Sequence, residues 1–135
     1  EIFNTANGKF KMKKKLAPQF SDDRGEILDI LTGENIDAVT LITFTKGATR
    51  ANHYHKETIQ WNYVTNGKLI YASQEIGGVK KEITLSKGDF VTSNPNEIHA
   101  FKAIENSELL VLTKGPRAGK DYEEDTFRLE EPILK

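Results

Sequence analysis

The chain has 135 residues, with 19 basic against 20 acidic side chains for a formal net charge of -1, and no cysteine. That length suits a single domain, residues 1–135, with its own core. The balanced charge leaves no broad field to draw nucleic acid or an anionic membrane, and the missing thiols exclude a disulfide framework and thiolate chemistry.

No apolar run approaches the roughly 20 residues a membrane helix needs, and no signal-peptide pattern is visible. A cytoplasmic protein is expected. The sequence opens on Glu1 rather than Met, so an initiator or leader is expected upstream. Residues 1–20 are polar, with a basic cluster at Lys11, Lys13, Lys14 and Lys15 that reads as a solvated edge or, alternatively, as a phosphate-facing patch.

Ser21-Asp22-Asp23-Arg24-Gly25 reads as a turn, and Glu26 to Leu31 as a short strand. After a second turn at Thr32-Gly33-Glu34-Asn35, the segment Ala38 to Thr45 is β-branched and apolar on both faces, which predicts an inner strand. Lys46-Gly47 then turns the chain into a strand carrying His53 and His55. Asn66-Gly67, between the strand-like runs Gln60–Thr65 and Lys68–Gln74, predicts a hairpin. Gly77-Gly78 predicts another turn, Lys81 to Ser86 an edge strand, Asp89 to Thr92 a strand, and His99–Ala103 and Glu108–Thr113 the last core strands. Beyond Gly115-Pro116-Arg117-Ala118-Gly119 a charged tail is expected to pack on the barrel as a short helix or edge strand. Short strands with turns every 8–12 residues favour an all-β sandwich or barrel, with a core spanning about residues 26–114.

The three histidines of the chain are His53, His55 and His99. Spacing i, i+2 in a strand puts His53 and His55 on one face, about 6.5–7 Å apart along the backbone. Asn52 and Tyr54 have the opposite parity, and Tyr54 is expected to face outward, where a dimer contact could cover it. His99 follows the turn Asn94-Pro95-Asn96. Strict alternation would put Gln60 on the wrong face, so Lys56-Glu57-Thr58 must bulge or turn. Three imidazoles and the Gln60 carbonyl oxygen then suit a divalent transition metal such as Zn, Ni, Mn or Fe. A neutral Gln would leave the ion's full charge to polarise a bound oxygen. The plainer reading is that two or three of these histidines are satisfied barrel residues.

This spacing resembles the cupin superfamily, whose first motif runs Gly, five residues, His-x-His, three or four residues, Glu, six residues, Gly. Gly47, His53, His55, Gln60 and Gly67 fall on those positions, with Gln for Glu. Gly88, Pro95 and His99 match the second motif, Pro95 one place late. The resemblance implies a jelly-roll barrel, or double-stranded β-helix, of two antiparallel sheets, RmlC-like, with the site in its wider mouth.

Within the cupins, Asp23-Arg24-Gly25 ahead of a strand, followed by Arg50-x-x-His53-x-His55-Lys56-x-x-x-Gln60, resembles the nucleotide-sugar branch. That branch holds the 3,5-epimerases and the dTDP-4-keto-6-deoxyglucose 3,4-ketoisomerases. The Gly that follows the Arg in the ketoisomerases is Ala51 here, and their Asp-Tyr-rich tail is echoed by Asp121-Tyr122-Glu123-Glu124-Asp125. The resemblance implies metal-free catalysis in which His53 or His55 takes a proton from the carbon beside a sugar ketone. Arg50 and Lys56 are the candidates for gripping a diphosphate, and Trp61, Tyr63 and Tyr71 for stacking on a base or sugar. Three functions are therefore expected in order: an isomerase or epimerase of a nucleotide-linked keto-deoxy sugar, a metal-dependent dioxygenase, lyase or isomerase of another small molecule, and a non-catalytic sugar- or metal-binding module. A homodimer is expected, because small barrels pair edges. DNA binding is disfavoured, since neither a helix-turn-helix pattern nor a basic surface is present.

Overall fold

The computed structural model describes residues 2–4, 10–117 and 119–135. Residues Ile2–Asn4 (β1) and Phe10–Met12 (β2) pair with each other, as do Phe20–Asp22 (β4) and Gly25–Ile27 (β5). The rest of the strands form two five-stranded sheets. The first has Lys81–Ser86 (β10), Lys68–Glu75 (β9), Glu97–Ala103 (β12), Thr49–Tyr54 (β7) and Phe127–Arg128 (β14) side by side. The second has Lys14–Lys15 (β3), Asp89–Ser93 (β11), Ile59–Asn66 (β8), Ser107–Lys114 (β13) and Ala38–Phe44 (β6). Every pairing is antiparallel. One short helix, Gly119–Glu124 (α1), precedes β14, so the tail is both a helix and an edge strand. No helix is long and apolar enough to cross a membrane among the described residues.

The sheets enclose a core drawn from both: Leu69, Tyr71, Ile83, Leu85, Phe101 and Ala103 from one, Phe44, Val64, Val91, Leu109 and Val111 from the other. These are the alternate residues of each strand, as a sheet with one buried face requires. The inward residues change character along the strands. Val64 gives way to Asn62 and Gln60 on β8, Leu109 and Val111 to Thr113 on β13, Leu69 and Tyr71 to Ser73 on β9, and Ala103 and Phe101 to His99 on β12; the apolar members are buried hydrophobics and the polar ones buried polar groups. The barrel thus has an apolar end and a polar end.

Three sequence expectations change. Ala38–Phe44 is an edge strand, with Val39 64% and Leu41 62% exposed on its outer face. Its apolar residues outnumber what one buried face needs. Asn66-Gly67 is not a hairpin, because β8 and β9 lie in different sheets. A type I′ turn needs positive φ at both residues, and of this pair Gly67 alone has it, at 88°. The chain instead turns a corner beside Asn106 and Ser107, so tightly that a Cβ on Gly67 would meet the Ser107 Cα at 2.6 Å. Ser107 Oγ accepts the Lys68 N–H at 3.0 Å and seals that corner. Finally, strand structure after the Asp23-Arg24 turn stops at Ile27, in an exposed hairpin.

The basic cluster is an anchor. Lys13 and Lys15 reach the buried Asp89 carboxylate at 3.4 and 2.9 Å, and Lys15 also donates to the Lys87 carbonyl at 2.8 Å. Their charge ties β3 and the residue before it to Asp89 of β11, Lys14 lines a groove with Leu16 and Phe90, and the Lys11 side chain lies outside the described residues.

Candidate functional site

The polar end of the barrel opens into a cavity of about 480 Å³ whose lining includes His53, His99, Gln60, Asn62, Arg50, Arg117 and Tyr122. β7 brings His53 to it by an irregular route. Ala51 (φ 74°) and Asn52 (φ 58°) are left-handed, and the register with β12 slips there, His99 facing His53 but Ala100 facing Ala51. This bulge turns Asn52 outward, where its side chain brackets the Leu134 backbone with two hydrogen bonds of 3.0 and 3.1 Å. A left-handed residue favours Gly, the residue that the ketoisomerase pattern has at this place, and Ala51 holds that conformation under strain.

The corner from His55 to Gln60 carries the chain from one sheet to the other and puts Gln60 on the cavity side, as its parity required. Asp125, just after α1, holds this corner. Its carboxylate accepts the backbone N–H groups of Lys56 at 2.9 Å, Glu57 at 3.1 Å and Thr58 at 3.1 Å, and the Thr58 hydroxyl at 2.7 Å. Burial pushes the Asp125 carboxyl up, but these four donors outweigh it and hold its pKa below the usual range. The Asp125 carbonyl accepts a hydrogen bond from His55 Nδ1 at 2.9 Å.

The three imidazoles cluster. Ring centroids lie 4.7 Å apart for His53 and His55, 4.8 Å for His53 and His99, and 5.6 Å for His55 and His99. His99 Nδ1 donates to the Glu97 carbonyl at 3.2 Å. A carbonyl only accepts, so His55 and His99 carry their protons on Nδ1 and their lone pairs on Nε2. His55 Nε2 is buried without a hydrogen-bond partner, although the Gln60 amide stands near enough to favour its protonated form. Burial, with the charges of His55, Arg128 and Arg117, lowers the His53 pKa to about 4, against the opposing pull of Glu123. Burial likewise lowers His55, partly offset by the Asp125 carbonyl and charge. Both rings are neutral at pH 7.

The donor set suits a divalent metal, and two of its histidines are oriented by backbone carbonyls as metal-ligating histidines commonly are. One ligand nitrogen per ring can be chosen so that all three lie within 4.8 Å of one another. That limit exceeds the ~4.4 Å that an ion at ~2.0–2.2 Å can span. His53 and His99 pack edge to face and the other two pairs are tilted, so the rings would have to draw in around an ion.

The structure sorts the other sequence candidates plainly. Arg50 is at the cavity rim, its Nε and Nη2 donating to the Thr43 carbonyl at 3.3 and 3.1 Å, across the open side between β7 and β6. His55 is buried behind His53 and packs on Tyr122 at 5.6 Å. Trp61 is corrected: one residue on from Gln60, it faces the outer side of its sheet, in a separate groove with Lys14, Leu16 and Phe90. Tyr71 is a core residue with no exposure, its hydroxyl 2.9 Å from Ser93 Oγ and its ring 4.9 Å from Phe101. Lys56 points into another groove, its ammonium 4.6 Å from the Phe127 ring. Tyr54 does face outward, but Phe127 of the same chain stacks on it at 5.1 Å. Arg24 is paired with Asp22 in the exposed hairpin, far from the histidines in the lining of a different groove. Sequence reasoning missed Arg117, Tyr122 and Asp125. Asp121 to Asp125 stood out only as an echo of a tail, and Arg117 only as part of a pattern break.

The cupin domain profile matches residues 40–113. No curated protein sequence matches the chain. Among solved structures, a double mutant of the QdtA 3,4-ketoisomerase from Thermoanaerobacterium thermosaccharolyticum, in complex with TDP, is 25% identical. That match covers 88% of this chain and 87% of that one with a TM-score of 0.71. The WlaRB TDP-quinovose 3,4-ketoisomerase from Campylobacter jejuni is 19% identical over 88% and 92% with a TM-score of 0.74. A dTDP-4-dehydrorhamnose 3,5-epimerase from Sulfolobus tokodaii is 20% identical over 88% and 77% with a TM-score of 0.67.

Proposed function

This chain belongs to the cupin family, and from that footing we propose that it is an isomerase or epimerase of a nucleotide-linked keto-deoxy sugar. The observation that carries the reading is the pairing of His53 and His99, 4.8 Å apart in the wall of an open cavity that Arg50 also lines. The similarity to a ketoisomerase solved with TDP supports the same substrate class. Arg50 keeps donors beyond the two it gives to Thr43, and these would meet a diphosphate at the mouth while the sugar reaches the histidines.

The chemistry needs a neutral base near an acidic carbon. His53 faces the cavity with its ring neutral, so it would take the proton from the carbon beside the ketone. His55, anchored by Asp125, and His99, anchored by Glu97, fix its position. Reprotonation of the enediolate at the neighbouring carbon completes a ketoisomerisation, and return to the same carbon from the other face an epimerisation. The test is NMR of a dTDP-4-keto-6-deoxy sugar with the protein in D2O. Deuterium should enter the carbon next to the ketone, and His53→Asn should slow this by roughly 10²–10⁴, the usual share of general acid–base catalysis. No exchange with wild-type protein, with or without added divalent metal, overturns the reading.

A metal-dependent cupin is the second reading, favoured by the partnerless His55 Nε2 beside His53 and His99. His53, His55 and His99, with Gln60, would hold the ion, which would supply a Lewis acid. Loss of activity on chelation and recovery with a divalent metal would select it.

A further inference from the structure

Three buried side-chain atoms have no hydrogen-bond partner among the described residues: His55 Nε2, Thr113 Oγ1 and Arg117 Nε. All belong to the polar end of the barrel, Thr113 being the register partner of Gln60. A buried polar group left unmade costs about 1–3 kcal/mol. The three atoms lie together at this end of the barrel.

Arg117 stands apart from the other arginines. The chain has four. Arg24 is paired with Asp22, Arg128 with Glu123, and Arg50 donates to the Thr43 carbonyl. Arg117 has no oxygen partner among the described residues; it lies 4.7 Å over the Tyr122 ring and lines the cavity. Stacking fixes the plane of a guanidinium but leaves its N–H donors free, because all of them lie in that plane. No carboxylate lines the cavity among the described residues, so no anionic side chain in its wall competes for those donors. Tyr122 in turn packs on His55, which places the cation beside the histidine cluster, while Arg50 stands at the rim.

We propose that Arg117 is a further catalytic residue, whose guanidinium holds the ketone oxygen of the sugar as that oxygen becomes negatively charged. The proposal rests on the isomerase reading. When His53 takes the proton from the carbon beside the ketone, the C–H electron pair forms the enediolate double bond. The carbonyl π pair moves to oxygen, which becomes the oxyanion beside Arg117. The neighbouring hydroxyl then gives up its proton, this oxygen gains one, and the proton held by the imidazole returns to carbon. Nothing is oxidised or reduced overall. A preorganised cation aimed at the developing charge stabilises it without reorganising at the moment of reaction.

The test compares wild type with Arg117→Met and Arg117→Lys in two measurements. The first is deuterium entry and turnover on the dTDP-4-keto-6-deoxy sugar. Arg117→Met should lower kcat by about 10²–10³, the share of one oxyanion donor, with KM changed less than about threefold and Tm unchanged; Arg117→Lys should recover part of the loss. The second is calorimetric binding of oxalate, whose adjacent oxygens mimic an enediolate, to chelator-treated protein. Wild type should bind it and Arg117→Met should not. If wild-type protein exchanges deuterium but Arg117→Met does so at a similar rate, or loses only KM, the role of Arg117 is overturned and the isomerase reading stands. If wild type does not exchange, the isomerase reading falls, and oxalate alone decides. Binding that depends on Arg117 keeps it as the group that takes a vicinal oxyanion, whereas no binding, or binding indifferent to Arg117, ends the proposal.

Discussion

Ala51 occupies a left-handed conformation (φ 74°) that a side chain rarely adopts, and nothing but the bulge requires it. Ala51→Gly is expected to raise stability by about 0.5–1 kcal/mol, because relief of that strain outweighs the greater freedom Gly has when unfolded; a urea midpoint shift measures it. His53 responds to pH in a defined direction. Its pKa falls from 6.5 to about 4 on folding, so between those values the unfolded chain binds the extra proton. Stability is therefore fully present above pH ~6.5 and declines as pH falls toward 4, on the order of 3 kcal/mol in all. His53→Asn should flatten that slope, and the imidazole C2–H resonance should report the lowered pKa directly. At this scale much of the site was legible. His53, His55, His99 and Gln60 announce themselves by spacing and by the scarcity of histidine. Trp61 and Lys56 misled, because residue type says nothing about face: each is one residue away from a side chain directed at the cavity or its wall.

At the scale of elements, the corner from β7 to β8 depends on a residue 70 positions downstream, the separation of His55 and Asp125 in their contact. Asp125→Ala should remove an acceptor shared by three backbone donors and a hydroxyl, costing about 2–4 kcal/mol. The backbone carbonyl that accepts from His55 Nδ1 survives in this variant, so the ring should keep its tautomer, which nitrogen-15 shifts would register. Hydrogen bonding lowers the folded pKa of Asp125. Its stabilisation is present above the unfolded carboxylate pKa, near 3.9, and is lost as pH falls through the folded value. The gap between wild type and the Asp125→Ala variant should close in acid. No local pattern could have revealed this. Asp125 reads as one more charge in an acidic tail until the fold returns that tail to the histidine corner. Asn66-Gly67 failed for a related reason: the pair is a strong turn signal, but in a two-sheet barrel a turn also serves to change sheets. Ala38–Phe44 failed because apolar content cannot distinguish burial by a neighbouring strand from exposure at an edge.

For the molecule as a whole, the exposed outer face of β6 matters most. Val39 and Leu41 stand at 64% and 62% exposure on an edge strand with open backbone groups, an arrangement that invites pairing. A homodimer through this face is expected. Sedimentation should give a dimer for wild type and a monomer for Val39→Lys, while a wild-type monomer at high concentration would count against it. The overall architecture was legible because alternation and turn spacing repeat in every strand, so an error in one leaves the rest intact.

The passage from apolar to polar side chains along the barrel has a further consequence. The cavity floor is made by Phe44, Phe101, Leu109 and Val111, and its upper wall by His53, His99, Gln60 and Asn62. A small molecule entering it meets a graded solvent, hydrocarbon below and amide and imidazole above. An amphiphilic ligand would be aligned by partition before any specific bond formed. Each methyl or methylene sent to the floor favours that alignment by about 0.8 kcal/mol, and a hydroxyl in its place meets a surface that offers no hydrogen bond. A sugar with a methyl group where others carry hydroxymethyl would sort itself from them by solvation alone.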